Sequence, residues 1–161
     1  MEKVLDKLTS YNLFNYLLPG VLFSVVLERI TPYSLTHENI VIAAFVYYFI
    51  GLIVSRFGSL VVEPILKWVR FLKFAPYPDF VAAAKGDSKI DELSETNNMY
   101  RTFVSVMVVL AGAKGYELFL YKIPLLAEHG ILIGFVALFV MLLLSYRKQT
   151  SYIRRRIERG K

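Results

Sequence analysis

The chain has 161 residues, of which 56% are hydrophobic and 20% are charged, against roughly 45–50% apolar residues in ordinary globular domains. This length allows about one domain, and the composition argues against a water-soluble globule and for an all-α membrane protein. Cysteine is absent, which excludes a disulfide framework and any cysteine-based metal or redox site. In a membrane protein, the net charge of +6 is first an indicator of topology.

Four windows of the sequence are long and apolar enough to form membrane-spanning helices, which need about 20 mostly apolar residues each. The second and fourth windows contain no charged residue, whereas the first and third contain polar residues. We therefore predict one membrane domain over residues 1–161. Its predicted parts are spans over about residues 11–27, 39–54, 100–121 and 131–146, a middle loop over residues 56–99 and a tail over residues 147–161.

The distribution of lysine and arginine predicts the orientation of these spans. Sixteen of the nineteen basic residues lie before the first span, in the middle loop, at the entry to the third span (Arg101) or in the tail, and three lie near the two short outer connections. Basic residues accumulate in the cytoplasmic loops of membrane proteins. We therefore expect both termini and the middle loop to be cytoplasmic.

The first half of the middle loop has the pattern of an amphipathic helix. In residues 56–74, RFGSLVVEPILKWVRFLKF, polar residues recur every three or four positions among Leu, Val, Ile, Phe and Trp. Pro64 should kink this helix, and Glu63 and Lys67 are spaced for an i,i+4 ion pair. A basic helix with a tryptophan lies most naturally in the membrane interface. The residues predicted at the interface are Lys67, Trp68, Arg70 and Lys73.

The second half of the middle loop, residues 75–99, has the punctuation of a short helical hairpin. Pro78 can open a first helix and Gly86 can end it, and a second helix can run from Lys89 into the third span. Such a hairpin is too short to bury a core of its own. It must pack on neighbouring parts of the chain, on a second copy or on a partner. The side chains predicted for partner or lipid contact are Asp91 and Glu92.

Asparagines interrupt the first span. Asn12, Asn15 and Pro19 fall on one helix face, and Pro19 also frees the carbonyl of Asn15 from its intrahelical bond. An amide in hydrocarbon needs a partner, which a neighbouring helix can supply. Two interpretations stay open. In the first, Asn15 and Pro19 are functional, as a polar seam for oligomerisation or as the lining of a pore or cleft. In the second, the side chains of Asn12 and Asn15 simply lie at headgroup level.

The third span contains charged and small residues. Lys114 and Glu117 are i,i+3 neighbours that can pair, and ionisable residues inside a span are functional candidates. The alternative is that Lys114 extends to the outer surface. Ala111 and Gly115 form a small-xxx-small pair that allows close helix packing. We predict these four residues for packing between spans or between copies.

The sequence offers little for catalysis or metal binding. Its two histidines, His37 and His129, lie in the outer loops and are not spaced as a metal pair. Near its span ends it has no paired carboxylates and no Gly-x-Ser motif, and it has no phosphate-binding glycine loop. We therefore expect a protein that is not an enzyme and that has no metal site and no cofactor.

The tail, SYRKQTSYIRRRIERGK, is strongly basic. It can fix topology and bind anionic lipids, dock an acidic partner protein, or contact nucleic acid electrostatically. Lipid is the default. Direct nucleic-acid binding is not expected, because the run lacks a fold or interleaved aromatic residues that mark such modules. The tail residues predicted for partner or lipid contact are Arg154, Arg155 and Arg156.

Several features together resemble a known family. The opening SYNLFNYLLPGVLF, the four-span plan, the NNMYR entry to the third span and the basic tail are similar to the KwaA-like membrane subunits of the Kiwa anti-phage defence system. The resemblance supplies no catalytic motif and no site residue. It implies a homo-oligomer, a tetramer, in the bacterial inner membrane. It also implies a cytosolic DNA-binding effector as partner (KwaB-like) and a role in sensing the envelope event of infection.

Two functional hypotheses follow. The first is a non-enzymatic scaffold or sensor that homo-oligomerises through its spans and recruits a cytosolic partner with the middle loop and tail. The second is a small oligomeric channel or pore-forming effector, lined by the polar residues of the first and third spans.

Overall fold

The computed structural model describes residues 12–120 and 122–158 of the chain. In this part, helices account for 85% of the residues and no strand occurs. Tyr11, Tyr121 and the end of the basic tail at residues 159–161 belong to the predicted elements but lie outside the described residues. The prediction of an all-α chain with four helices long and apolar enough to cross a membrane is confirmed. They are Leu13–Ile30, Ile40–Trp68, Lys89–Phe119 and Glu128–Glu158.

The first of these helices begins with a π-helical turn, π1 (Leu13–Leu17), and continues as α1 (Leu18–Ile30). In π1 the backbone N–H of Leu18 donates to the carbonyl oxygen of Leu13, five residues earlier. Pro19 follows directly. Its ring would clash with the carbonyl of Asn15 in a regular α-helix, and that carbonyl lies inside the wider π turn. The helix ends where Thr31 becomes extended.

The second long helix repeats this arrangement at its far end. It consists of α2 (Ile40–Phe57), a π turn π2 (Gly58–Val62) and α3 (Glu63–Trp68). Its start is capped by Asn39, whose side-chain oxygen accepts hydrogen bonds from the next turn of backbone. Pro64 stands two residues after π2, as Pro19 stands two residues after π1. The N–H of Glu63 reaches back five residues to Gly58.

Arg70 ends α3 in an unusual backbone conformation. Its φ of 60° lies in the left-handed region that glycine normally occupies at helix ends. The N–H of Arg70 donates to the carbonyl of Lys67, and the N–H of Phe71 donates to that of Leu66. This is the Schellman hydrogen-bond pattern. It reverses the chain and brings Phe71 back towards the last turn of α3.

Three further helices complete the chain. They are α4 (Tyr77–Gly86), α5 (Lys89–Leu120) and α6 (Pro124–Glu158). The side chain of Asp87 accepts a hydrogen bond of 2.9 Å from the N–H of Lys89 and so caps α5. The second half of the middle loop therefore contains one short helix, α4, and its last residues already belong to α5, the helix that carries the third span.

By packing, the described residues divide into two compact units, one that ends at Lys114 and one that begins at Gly115. The first unit has an apolar core formed by Phe23, Leu27, Val54, Val106 and Leu110. In the second unit, α6 presents exposed apolar side chains such as Ile131, Phe135 and Phe139. A Cβ atom added at Gly130 in this unit would meet the hydroxyl of Tyr116.

Candidate functional site

A close helix contact in the first unit joins π1 and α1 to α2 through two glycines. A Cβ atom added at Gly20 would overlap the backbone carbonyl of Tyr47, and one added at Gly51 would overlap that of Tyr16. On each helix the glycine follows the tyrosine by four residues: Tyr16 and Gly20 on one, Tyr47 and Gly51 on the other. Each glycine therefore faces the carbonyl of the other helix's tyrosine, and the contact is reciprocal. Glycine permits such backbone approach, which van der Waals packing stabilises in membranes. The Tyr16 ring also meets that of Tyr48 edge-on, with centroids 5.5 Å apart.

Asn15 and Pro19, predicted as an oligomer seam, lie beside this contact. Asn15 is 2% exposed and Pro19 is among the most completely buried residues. Little of either side chain is therefore left for a second copy. Their role in oligomerisation stays a prediction, and their burial favours packing within the chain.

A row of hydroxyl side chains joins α2 to α5. Thr102 Oγ1 lies 3.2 Å from Ser55 Oγ and 2.9 Å from the carbonyl oxygen of Asn98. Ser105 donates to the carbonyl of Arg101 at 2.7 Å, and a Cβ atom at Gly58 would strike its hydroxyl. Thr102 and Ser105 are completely buried. The hydroxyls therefore hold the third span against the end of the second.

A charged group continues this row, and we call it the Glu63 cluster: Glu63, Lys67 and Arg101. Glu63 accepts from Lys67 Nζ at 2.7 Å and from Arg101 Nη1 at 2.9 Å, with 11% of its side chain exposed. The predicted Glu63–Lys67 pair is thus confirmed. Arg101 joins the cluster from 38 residues away. Removing one partner from a buried ion pair costs about 3–5 kcal/mol, although Lys67, 44% exposed, contributes less than that.

The Glu63 cluster borders a cavity of about 180 Å³. Glu63 and Arg101 supply its charged lining, and the rest comes from the end of α3, the segment after it and one face of α5. Lys67 Nζ also lies 4.0 Å from the centroid of the Phe74 ring, a cation–π contact. The arrangement can bind and orient an amphipathic ligand, because a charged edge adjoins apolar walls.

Lys114, predicted as a packing or surface residue, reaches the end of the first span. Its Nζ donates to the carbonyl oxygen of Ile30 at 2.7 Å. Ile30 is the last residue of α1, where carbonyls lack intrahelical partners and a cation is favourable. The charge within the third span is therefore engaged within its own unit. Glu117 is partly buried in the second unit.

The small residues predicted for close packing on α5 face open space. Ala111 is exposed, and a Cβ atom added at Gly112 or Gly115 would have no neighbour within 4 Å. The glycines that do pack, Gly20 and Gly51, stand one on each of two helices. A search for small residues repeated along one helix misses such a pair.

The other predicted residues lie on exposed surface. Trp68 is 83% exposed, and Arg70 and Lys73 are exposed beside it. Asp91 and Glu92 lie in the first turn of α5, where acidic side chains are favourable. Arg154, Arg155 and Arg156 are exposed on the last turns of α6, with Arg154 Nε bonded to Glu158 at 2.6 Å.

Within the described ranges, 12–120 and 122–158, no group of three or more His, Asp or Glu side chains could hold a metal ion. No protein-family profile, curated protein or solved structure matches this chain.

Proposed function

We propose that the chain is a non-enzymatic scaffold or sensor of the bacterial inner membrane that homo-oligomerises and recruits a cytosolic partner. The observation that carries the proposal is the length of α6, 35 residues. At 1.5 Å per residue it extends about 52 Å, well beyond a hydrocarbon core of about 30 Å. Its last turns carry Arg154, Arg155 and Arg156 as an exposed, helical basic surface, which suits a partner of acidic surface.

The positions and contacts of the polar residues in the spans favour a scaffold over a channel. A pore of the proposed kind would need Asn15 and Lys114 on a water-filled surface. Asn15 is 2% exposed, and Lys114 donates to the end of α1. Both are engaged within the first unit, so they are poorly placed to line an axis between copies.

The orientation rests on the positive-inside distribution, which puts the middle loop and both termini in the cytoplasm. In this orientation α3 lies at the cytoplasmic membrane surface with Trp68 in the interface, where amphipathic aromatic residues are favoured. Lys67, Arg70 and Lys73 would face the headgroups. The short helix α4 and the first turns of α5 then form the cytoplasmic hairpin, with Asp91 and Glu92 available to a partner.

The resemblance to the Kiwa membrane subunits extends the proposal to anti-phage defence. It suggests a tetramer and a KwaB-like cytosolic effector that binds DNA itself. The extension rests on the opening pattern of the first span, in which Pro19 is buried and Gly20 allows the close contact between α1 and α2.

The test is purification of the full chain in mild detergent, with its oligomer mass and co-purifying proteins measured. We expect a defined homo-oligomer and one stoichiometric cytosolic protein. Replacing Arg154, Arg155 and Arg156 together with Gln should release that protein and leave the oligomer intact. The control is Arg29 and Lys122 changed together to Gln, which removes exposed positive charge from the two outer connections, away from the middle loop and the tail.

Two outcomes contradict the scaffold. One is a monomer from which no partner co-purifies, with function intact after deletion of residues 76–98. The other is ion flux through proteoliposomes that disappears in Lys114→Met, because conduction through that residue is what the channel alternative requires.

A further inference from the structure

The cavity beside the Glu63 cluster lies where the second and third spans leave the apolar region, at the expected cytoplasmic surface. We infer that it binds the phosphate headgroup and upper acyl chain of one anionic phospholipid. This inference goes beyond the proposed scaffold. It depends on the membrane placement of the spans but not on a partner or on oligomerisation.

Charge argues for an anionic occupant. The Glu63 cluster contains one carboxylate and two cations, so it retains one positive charge. Arg101 lines the cavity, and 19% of its side chain is exposed. A guanidinium binds phosphate through two parallel N–H donors. A phosphate at the exposed edge of Arg101 would accept from its N–H groups and neutralise the excess charge.

The face of α5 that lines the cavity changes from polar to apolar along the helix. Asn97, Tyr100, Arg101 and Val104 are spaced i, i+3, i+4 and i+7, so they share one face. The three polar residues come first and Val104 lies about one turn nearer the membrane centre. A phospholipid has the same order, with its phosphate outside and its acyl chains inside.

The opposite wall suits an acyl chain. The Schellman turn at Arg70 brings Phe71 back beside Leu66, and both side chains line the cavity. Phe71 is 77% exposed, so this wall is open to the surrounding apolar phase. The volume of about 180 Å³ resembles the roughly 150 Å³ that holds one benzene molecule. It accommodates a phosphate and the first methylenes, while the chains continue into the bilayer.

The experiment measures retained lipid by native mass spectrometry of the full chain in detergent. Equal amounts of phosphatidylglycerol and phosphatidylcholine with identical chains are offered. We expect preferential retention of one phosphatidylglycerol per chain. Arg101→Gln should lower its affinity about tenfold, because a charge-assisted bidentate contact is lost. Lys73→Gln removes the same charge from the same membrane flank outside the cavity lining and should retain the lipid.

A second pair of variants keeps every charge, in case Arg101→Gln fails to fold. Val104→Phe fills the cavity from α5, whereas Val108→Phe adds the same bulk one turn further along the helix, on an exposed position outside the cavity lining. Loss of phosphatidylglycerol from Val104→Phe alone supports the site.

Three results overturn the inference. The first is equal retention of both lipids by the unmodified chain. The second is equal loss of lipid in a variant and its control, which would mean that general surface charge or bulk decides binding. The third is displacement of the lipid by inorganic phosphate at comparable concentration, which would identify a free-phosphate site.

Discussion

The two proline turns of the first unit share one backbone design and serve different contacts. Each begins with a π turn whose last residue stands two positions before the proline, with an N–H bonded five residues back. After π1, Gly20 lets the backbone of α1 touch that of α2. After π2, Glu63 is buried between Lys67 and Arg101.

In both cases the π turn places a nearby residue in a contact between helices. The side chain of that residue then determines whether the contact depends on packing or on charge. The first turn depends on the absence of a side chain and should respond to size. The second depends on a carboxylate and should respond to charge. Each turn can be broken separately, and the four variants below are ordered from the largest expected effect to the smallest.

Gly20→Val should destabilise the first turn by about 3 kcal/mol or more, since the new Cβ meets the carbonyl of Tyr47, which is backbone and cannot rotate away. The thermal unfolding midpoint in detergent measures this. The matched change Gly134→Val adds the same atoms where nothing lies within 4 Å, and should shift stability by no more than about 0.5 kcal/mol. Equal effects of the two variants would contradict the close contact.

Glu63→Gln should destabilise the second turn by about 2–3 kcal/mol, because it keeps the shape but leaves Arg101 without its ion-pair partner. Glu92→Gln, an exposed carboxylate on α5, is the control and should be nearly neutral. Combining Glu63→Gln with Arg101→Gln should cost less than the sum of the two. An additive double variant would show that the pair is not coupled.

Thr102→Val tests the hydroxyl row next to the second turn and should cost about 1 kcal/mol, since Ser55 loses a buried hydrogen-bonding neighbour. Thr96→Val is a close control. Thr96 bonds the carbonyl four residues back, as Thr102 does, but it is exposed. If Thr96→Val destabilises the chain as much, the contact between helices is not the source of the effect.

Arg70→Gly should stabilise the end of α3 by roughly 0.5–1 kcal/mol. A left-handed φ costs a residue with a side chain about 1–2 kcal/mol, and glycine avoids this cost. Part of the gain is offset, because glycine also has more conformational freedom in the unfolded state. Arg70→Ala removes the same charge while keeping Cβ, so it should bring no such gain. A higher unfolding midpoint in both variants would assign the effect to charge instead.

The parts of this fold that follow from local pattern were predictable, and the parts that depend on partners distant in sequence were not. Hydropathy locates the four long helices, and i,i+4 spacing predicts the Glu63–Lys67 pair. In the sequence Arg101 is only one basic residue among nineteen, because nothing local links it to Glu63, 38 positions away. The contact between Gly20 and Gly51 could not be predicted for the same reason. Each is an isolated glycine until the two helices meet.

The bond from Lys114 to Ile30 also bears on the order in which the chain enters the membrane. The first span is complete at Ile30, yet the amine that satisfies its last carbonyl lies 84 residues further along. At about 5–20 residues per second, a ribosome needs roughly 4–17 s to supply it. During that interval the first two helices can already pack through Gly20 and Gly51, while the carbonyl of Ile30 still lacks its bond to Lys114. Lys114 can bond to Ile30 only after the third helix has been made, so this contact can form only later than the one between the first two helices.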